Sequence, residues 1–453
     1  MESKDQFFKK LKNKLGIVRF LFLGYAITIL IGSLLLSLSY ASATGVRHSY
    51  IDCLFTATSA TCVTGLVPFD TGLGWSLFGQ IVILLLIQIG GLGFMTIICV
   101  LFVILKQRIS LHNQNMVIAA EGGISRGKVA PLVVRIAILT FVFEMLGTGL
   151  LSIRFCRLYS GKGVYYALFT SISAFCNAGF DIFTTGSLSQ FQSDPFVLLV
   201  VSFLIVSGGL GFIVWMDIFE HKFRIKKFSL HTKVVLLVTS TLIITSAIIF
   251  YILEFTNVGV KGNFTNFRTI DKITNSLFLA ISPRTAGFSA VDLKQMSGSG
   301  QFLTIILMFI GGNPCSTAGG VKTTTIVVVI ASLIASAKGE KEIRILHRRV
   351  NSELGRQSLA IFFSYLLLIM TASLLIGIFD QGNLTEILFE TTSAVCTVGL
   401  TLDYTSTLGV ASKIILIFLM YVGRLGAFAF FEFLFKNNKK EYVSFPEGKI
   451  LVG

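Results

Sequence analysis

Apolar residues run along this chain in long stretches separated by short polar loops, and the stretches come in four pairs. An apolar helix of about 20 residues crosses the hydrocarbon core of a bilayer. The pattern therefore predicts an all-α polytopic membrane protein with eight spanning helices. The first helices of the pairs are predicted near 16–40, 130–153, 232–255 and 358–379, and the second near 75–105, 195–219, 300–336 and 408–435.

A shorter stretch lies between the two members of each pair, at 50–60, 164–174, 271–281 and 384–394. Roughly ten residues are too few to span a bilayer, and polar backbone at membrane depth must pack in protein or line water. We therefore expect four re-entrant pore helices. Each is followed by a polar turn and a glycine that recurs about every 110 residues, which indicates a fourfold repeat. The glycines are Gly65, Gly179, Gly287 and Gly399.

The repeat predicts four helix–pore–helix units around one central pore. The expected boundaries are a cytoplasmic N-terminal segment (1–15), repeat 1 (16–105), repeat 2 (106–219), repeat 3 with a broken second helix (220–337), repeat 4 (338–435) and a cytoplasmic C-terminal tail (436–453).

Composition and charge agree with a membrane protein. With a mean hydropathy of +0.80 and only 13% charged residues, the chain is not an ordinary soluble domain. The net charge of +15 is concentrated in alternate loops, which is the positive-inside pattern and predicts that both termini lie in the cytoplasm. Because the charge follows these loops, binding to nucleic acid is not predicted. The basic clusters lie at 4–14, 106–135, 222–233, 338–356 and 436–449.

The polar turns have the chemistry of a cation filter. Rings of backbone carbonyls replace the water around a dehydrated potassium ion, and glycine permits the backbone angles that this requires. Thr397-Val398-Gly399 matches the start of the Thr-Val-Gly-Tyr-Gly element of potassium channels, whereas the other turns retain only the glycine. Alternatively, the glycines only allow close helix packing. The predicted filter residues are Thr61, Cys62, Val63, Thr64, Gly65, Cys176, Asn177, Ala178, Gly179, Arg284, Thr285, Ala286, Gly287, Cys396, Thr397, Val398 and Gly399.

A carboxylate follows each glycine in the loop that would face outside. Four acidic side chains at the mouth of a pore would form an outer vestibule that raises the local cation concentration. Ordinary solvated loop residues are the alternative. The residues are Asp70, Asp181, Asp292 and Asp403.

A polar, glycine-rich stretch interrupts the second apolar helix of the third repeat. Its glycines permit two backbone conformations, so we predict an intramembrane gate, with a plain helix kink as the alternative. The stretch is not a phosphate-binding loop, because Val321 separates the last glycine from Lys322. The predicted gating residues are Gly311, Gly312, Asn313, Pro314, Cys315, Ser316, Thr317, Ala318, Gly319 and Gly320.

Arg424 stands where the other second helices have glycine. An arginine at membrane depth costs about 2.5–3.5 kcal/mol on insertion scales, so it is expected to face a pore or an acid. Two roles stay open: an electrostatic barrier beneath the filter, or a structural ion pair for which Glu144 is one conceivable partner.

With these residues, the chain resembles the Ktr/Trk/HKT superfamily of potassium uptake proteins, and most closely its KtrB-type bacterial subunits. The resemblance covers essentially the whole chain. It implies that the four glycines form a potassium filter, that 311–320 is a gating loop and that Arg424 is the positive residue below the filter. Related proteins that pass sodium carry serine at the first glycine, so Gly65 favours potassium. The third turn departs from the others with Pro283 and Arg284.

The resemblance also implies a homodimer in the bacterial plasma membrane, seated on a cytosolic ring of nucleotide-binding regulatory subunits of the KtrA type. This chain carries no G-x-G-x-x-G fingerprint, so the nucleotide would bind the partner subunit. The cytoplasmic loops and the tail at 436–453 would contact that ring. Potassium is the expected transported ion, sodium is a candidate activator, and no covalent cofactor is expected.

The main alternative function is a sodium-selective or weakly selective monovalent cation channel. A polytopic membrane enzyme would need His, Asp or Glu clustered at one membrane interface, but the five histidines are dispersed among the loops. An enzyme is therefore not predicted. A membrane scaffold would show no dependence on the filter glycines.

Overall fold

The computed structural model describes residues 20–93, 129–184, 186–256, 263–340, 342–346 and 348–435. The predicted segment at 1–15, the end of the helix at 75–105, most of the basic loop at 106–135 and the tail at 436–453 lie outside the described residues.

The described residues are mostly helical. Each quarter of the chain has a first helix, a short helix of 12 or 13 residues, and a second helix. The first half contains α1 (Phe20–Leu36), α2 (Tyr50–Thr61), α3 (Thr71–Gly74), α4 (Leu77–Leu92), α5 (Val129–Tyr159), α6 (Gly163–Phe175), α7 (Pro195–Gly209) and α8 (Phe212–Glu220). The second half contains α9 (Leu230–Phe255), α10 (Thr269–Ile281), α11 (Gly298–Phe309), α12 (Thr323–Ala337), α13 (Ser352–Phe379), α14 (Leu384–Val395), α15 (Val410–Leu425) and α16 (Ala427–Phe435).

One element departs from the all-helical prediction. Strands β1 (Ile343–Ile345) and β2 (Arg348–Val350) pair antiparallel in the loop between α12 and α13. In β1 the exposed Arg344 stands between Ile343 and Ile345, and the buried side chain of Ile343 lies against Gly355 of α13. The alternation is the two-residue period of a strand with one buried face, but the sequence interpretation gave weight only to the charge of this loop.

The second helices are interrupted, not only in the third quarter. α7 and α8 meet at a bend of 92°, and a break also separates α15 from α16. The continuous helices predicted at 195–219 and 408–435 are therefore wrong. At both breaks the glycine has a left-handed backbone, with φ of +98° at Gly211 and +97° at Gly426. A helix cannot continue through that conformation.

By length and apolar composition, three helical segments of the described chain are able to cross a membrane: Pro131–Phe175, Leu230–Phe255 and Ser352–Phe379. The bent pair α7 and α8 adds a fourth if it counts as one span. Four further apolar helices are shorter, namely Phe20–Leu36, Leu77–Leu92, Gly298–Phe309 and Thr323–Ala337. The eight spanning helices thus stay a prediction.

The outer surface is apolar. Leu34 on α1 is 58% exposed and Leu374 on α13 is 66% exposed. Large apolar side chains over so much of the surface are typical of a protein surrounded by lipid.

The short helices α2, α6, α10 and α14 form the centre of the fold. The second helix of each quarter packs against the short helix of the next: α4 on α6, α7 on α10, α11 on α14, and α15 on α2. The last contact closes a ring and is reinforced by an ion pair of 2.8 Å between Lys413 and Asp52. One phenylalanine on each short helix is almost fully buried: Phe55, Phe169, Phe278 and Phe389. The four quarters therefore present equivalent short helices around one axis.

Candidate functional site

The four glycines predicted from the repeat lie side by side in a closed ring. A Cβ atom built on Gly65 would lie 3.1 Å from Cα of Gly179, and one on Gly179 would lie 2.8 Å from Cα of Gly287. The corresponding distances are 3.3 Å from Gly287 to Gly399 and 2.9 Å from Gly399 to Gly65. All four have positive φ, between +70° and +100°. Any side chain would therefore strain the backbone and strike the next turn.

The turns that contain these glycines, called glycine turns below, span 61–65, 176–179, 284–287 and 396–399. In each, the residue two before the glycine also has positive φ, while the residue between them does not. Such alternation turns successive carbonyls toward the same side of the chain. Valine and threonine rarely adopt positive φ, so the surrounding structure must hold them there. The four residues are Val63, Asn177, Thr285 and Thr397.

The carbonyl oxygens before the glycines have no hydrogen-bond donor among the described residues. Each lies next to the preceding glycine of the ring, and none accepts a hydrogen bond from the described part of the chain. These carbonyls belong to Thr64, Ala178, Ala286 and Val398. Buried backbone carbonyls are nearly always paired, so a ring of unpaired ones is a set of free ligands for a cation.

Side-chain oxygens of the same turns are also buried without a hydrogen-bond partner in the described residues. They are Thr64 Oγ1, Asn177 Oδ1, Thr285 Oγ1 and Thr397 Oγ1. The three cysteines Cys62, Cys176 and Cys396 follow the last residues of α2, α6 and α14 and are fully buried. Thr61 belongs to the last turn of α2, where its hydroxyl donates to Ala57 O at 2.7 Å.

The third glycine lies one residue closer to the serine that precedes its turn, because Ser282 is five residues before Gly287 whereas Ser59 is six before Gly65. The amide of Ala286 donates to Ser282 O four residues back, whereas the amide of Thr64 reaches five residues back to Ser59 O. Gly287 nevertheless reaches its place in the ring.

Arg284 differs from the other predicted filter residues. Its side chain is only 7% exposed and lines a small cavity with Thr239 of α9 and Asn313. Its Nε atom has no hydrogen-bond partner among the described residues. The side chain of Arg284 thus extends from the third glycine turn to a cavity that the predicted gate also lines.

A serine near the C-terminal end of each short helix, in α10 the residue directly after it, forms a hydrogen bond to the backbone at or beside its ring glycine. This role was not predicted from the sequence. Ser59 Oγ accepts from the amide of Gly65 and Ser393 Oγ from that of Gly399, both at 3.0 Å. Ser173 donates to Phe180 O at 2.6 Å, and Ser282 donates to the carbonyl of Phe288. The signal was present, because three turns share a Ser-Ala-x-Cys sequence.

The 311–320 segment is a hydrogen-bonded loop between two helices. α11 ends at Phe309 and α12 begins at Thr323. The two ends of the loop are joined by a bond of 3.0 Å from the Gly311 amide to Val321 O and one of 3.1 Å from the Thr323 amide to Gly312 O. The break therefore has a defined structure of its own.

This loop lies directly against the glycine turns. Asn177 Nδ2 donates to Thr317 Oγ1 at 3.0 Å, and that hydroxyl donates to Phe175 O at 3.1 Å. On the opposite side, a Cβ on Gly319 would lie 2.9 Å from Cys396 O. The segment thus touches the second and the fourth turns together.

A second set of contacts fixes the loop to α7. Asn313 Nδ2 donates to Gly209 O at 2.9 Å, and the Thr317 amide donates to Gly208 O at 3.3 Å. The amide of Phe212 donates to Cys315 O at 2.8 Å. The residues at the bend between α7 and α8 therefore fix the position of the loop by hydrogen bonds.

Arg424 bridges two carbonyls that are far apart in the chain. Its Nη1 donates to Thr317 O at 2.5 Å, and its Nη2 donates to Gly90 O. It forms no ion pair with any described residue. Glu144 is bound by Gln88 Nε2 at 3.3 Å, so the suggestion that it pairs with Arg424 is wrong.

The four carboxylates predicted to form a vestibule are not equivalent. Asp403 pairs with Lys294 at 3.2 Å, and Asp292 accepts from the Lys294 amide at 3.0 Å. Asp70 and Asp181 accept amide hydrogen bonds within their own loops. Burial, and in addition the negative charge of Asp70, raise the pKa of the Asp181 carboxyl to about 7.

A buried carboxylate supports the fourth turn and was not predicted. Glu390 of α14 is fully buried and accepts hydrogen bonds from the hydroxyls of Thr401, at 2.9 Å, and Thr405. It thereby ties the loop after Gly399 to the short helix. A single glutamate in a short apolar helix gives no sequence signal for such a tie.

Comparison with known proteins identifies the family to which the chain belongs. A sequence model of the TrkH family, described as a cation transport protein, matches residues 6–438. The potassium/sodium uptake protein NtpJ of Enterococcus hirae is 38% identical over 98% of this chain and 99% of its own length. The Ktr system potassium uptake protein B of Bacillus subtilis is 38% identical over 95% of both chains.

Among solved structures, the potassium transporter TrkH from Vibrio parahaemolyticus has the same fold. The TM-score is 0.69 at 16% sequence identity, and the match covers 91% of this chain and 84% of the other. The resemblance stated from the sequence is thus confirmed, and the family is one of transport proteins rather than enzymes. The chain belongs to the TrkH family of cation transport proteins.

Proposed function

We propose that this chain is the potassium-translocating membrane subunit of an uptake system, with the four glycine turns as its selectivity filter. The observation that carries the proposal is the ring of unpaired carbonyls of Thr64, Ala178, Ala286 and Val398 beside the four glycines. Oxygen ligands from four sides replace the hydration shell of a monovalent cation. The names of the relatives, a potassium/sodium uptake protein and a Ktr system potassium uptake protein, give the same substrate class.

The short helices α2, α6, α10 and α14 would be re-entrant pore helices, each ending at its glycine turn. Their C-terminal ends then point at the ring, and the partial negative charge of a helix C-terminus favours a cation there. The eight other segments of the repeat would span the bilayer. The membrane potential would drive entry, since it supplies about 2.3 kcal/mol per charge per 100 mV.

The 311–320 segment would be the gate. Its contacts with Asn177 and Cys396, which belong to glycine turns, and with Phe175, which directly precedes one, support this. Conduction would require the loop to leave, and each neutral hydrogen bond that it breaks contributes about 1 kcal/mol to the shut arrangement. Arg424 would hold the loop by its bond to Thr317 O and would place a positive charge in the ion path.

Control of this gate would come from other chains. The relative from Bacillus subtilis is named as protein B of a Ktr system, which supports a multi-component assembly. We propose a homodimer on a cytosolic ring of nucleotide-binding subunits of the KtrA type, with nucleotide bound by the ring and sodium as a candidate activator. Both termini would lie in the cytoplasm.

The loops after the turns would act as an acidic vestibule of unequal strength. Asp70 and Asp181 carry no ion pair with a described residue, whereas the charge of Asp403 is matched by Lys294. The attraction for cations would therefore come mainly from the side of Asp70 and Asp181.

A second candidate function is a sodium-selective or weakly selective cation channel, which the name potassium/sodium uptake protein of one relative favours. The test is uptake of rubidium and of sodium into liposomes that contain the purified protein. Potassium selectivity predicts that rubidium flux exceeds sodium flux by at least about tenfold. Flux of sodium alone would contradict the proposal.

The variant Gly65→Ser tests the filter assignment in the same assay. Because Gly65 has φ of +100° and its Cβ would lie 2.5 Å from Ala178 O, serine must deform the ring and lower the discrimination against sodium. Gly149→Ser is the matched control, since no atom lies within 4 Å of its Cβ position. Unchanged selectivity in a folded Gly65→Ser variant would rule this turn out of the filter.

A further inference from the structure

The loop between α8 and α9 presents basic and apolar side chains together. Residues 222–227, called the 222–227 loop below, read Lys-Phe-Arg-Ile-Lys-Lys, and all six are exposed. Phe223 is 67% exposed and Ile225 is 69% exposed, while Phe219 at the end of α8 adds a third exposed apolar side chain. Clustered large apolar side chains on a surface mark a place of contact with another molecule or with lipid.

The charge of this loop is not neutralised by an ion pair with any described residue. None of Lys222, Arg224, Lys226 and Lys227 forms an ion pair with a described residue. The nearby carboxylate of Asp217 is already engaged by His221 at 2.8 Å and by the Ser229 amide and hydroxyl. The four cations are therefore available to an anionic partner.

The loop has a fixed shape. The amide of Phe223 donates to Ile218 O at 3.1 Å, and the amide of Lys227 donates to Arg224 O at 2.9 Å. Lys233 Nζ donates to Lys226 O at 3.1 Å, which ties the loop to the first turn of α9. These bonds hold the backbone that carries the basic and apolar side chains.

The loop lies next to a helix that is long and apolar enough to cross a membrane. It directly precedes α9, whose 26 residues have a hydropathy of 2.3 and are long enough to cross a bilayer. Apolar side chains of α9 such as Leu237 and Ile244, 55% and 58% exposed, continue the outer surface away from the loop. The bend of 92° after α7 turns α8 away from the direction of α7.

We propose that the 222–227 loop binds acidic phospholipid headgroups, with Phe223 and Ile225 inserted at the level of the first acyl carbons. An acidic protein surface would match the four cations but would leave the two large apolar side chains without an apolar partner. A bilayer interface supplies anionic headgroups and hydrocarbon at adjacent depths, which is the combination that this loop presents. The inference does not depend on which cation the protein transports.

The test compares phosphatidylglycerol with phosphatidylcholine bound to the purified full-length protein by native mass spectrometry. The variant with Lys222→Gln, Arg224→Gln, Lys226→Gln and Lys227→Gln is expected to lose at least about tenfold of its preference for phosphatidylglycerol. The control neutralises four exposed cations elsewhere, Lys162, Lys338, Arg348 and Arg356, and is expected to keep the preference. An unchanged preference in the loop variant, or an equal loss in the control, would overturn the proposal.

A second measurement does not depend on the fourfold variant being folded. Phe223→Trp is expected to be quenched by lipids brominated near the start of the acyl chain, above the quenching of the two native tryptophans. Absence of extra quenching would contradict insertion. If the loop variant instead lost a cytosolic protein partner and kept its lipid preference, the loop would be a protein-binding surface and the lipid proposal would fail.

Discussion

The amide side chain of Asn177 donates a hydrogen bond of 3.0 Å to the hydroxyl of Thr317. Asn177 has positive φ two residues before the second ring glycine, and Thr317 is in the middle of the 311–320 segment. This hydrogen bond thus joins a glycine turn to the 311–320 loop, and both side chains are buried. If the turns select ions and the loop shuts the path, this contact stabilises the shut arrangement.

Thr317→Val tests that role with little change in volume. The valine loses the bond from Asn177 and the bond to Phe175 O, which destabilises the shut arrangement by about 1–3 kcal/mol. Rubidium flux into liposomes is expected to rise roughly five- to hundredfold. Ser316→Ala is the control, because among the described residues the Ser316 hydroxyl bonds only within the loop, to Asn313 O at 2.6 Å and to the Ala318 amide. Equal flux in both variants would refute the coupling.

Arg424→Lys separates two roles of the arginine. A lysine keeps the positive charge but is a point donor, so it cannot reproduce the fork that reaches both Thr317 O and Gly90 O. If the bridge holds the loop, flux rises in Arg424→Lys as well as in Arg424→Gln. If the charge alone is the barrier, only Arg424→Gln conducts more, and the proposed bridge would have no part in gating.

The raised pKa of Asp181 predicts that cation flux depends on the pH of the solution at the mouth of the ring. Since its pKa is raised to about 7, the carboxyl is neutral below that pH and negative above it. At low potassium concentration, flux is expected to rise as the pH passes upward through about 7. Asp181→Asn should abolish this rise.

The same shift affects stability in a known direction. A carboxyl with a raised folded-state pKa contributes most at low pH, and the contribution is lost as the pH rises toward about 7. Asp181→Asn should therefore unfold at a higher temperature than the parent at pH 8 and show little difference at acid pH. Pairs of melting curves at the two pH values check this, and equal shifts would contradict it.

Arg284 is a buried cation without a matching anion in the described chain. Replacing such a charge by an apolar side chain of similar length is expected to stabilise the fold, by about 1–4 kcal/mol. Arg284→Met should therefore raise the melting temperature in detergent. Arg154→Met is the contrast, because Arg154 is 45% exposed and pairs with Asp194 at 3.1 Å, so its effect should stay within about 1 kcal/mol. A lower melting temperature for Arg284→Met would show that the charge is compensated.

The sequence was most informative where one residue type is physically required. The ring glycines could be found because only glycine combines positive φ with contact to the next turn, and the requirement recurs four times along the chain. The first helices were also predicted, since long apolar stretches admit few other structures. The break at 311–320 was visible because proline, asparagine and glycines stand together there.

Other features depended on contacts between distant parts of the chain. Nothing near Arg424 in sequence indicates that its partners are Gly90 and Thr317. The breaks at Gly211 and Gly426 were missed because a glycine inside an apolar stretch is equally compatible with close helix packing. The shorter distance from Ser282 to Gly287 was missed because the glycines were aligned without comparing the spacing of the serines before them.

The most direct test of the filter is to locate the ion. Crystals of the full-length protein grown with rubidium in place of potassium should show anomalous density on the axis of the glycine ring, shared among the carbonyls of Thr64, Ala178, Ala286 and Val398. In sodium alone, that density should be absent. Rubidium bound elsewhere, with the ring unoccupied, would contradict the claim that the four glycine turns form a potassium filter.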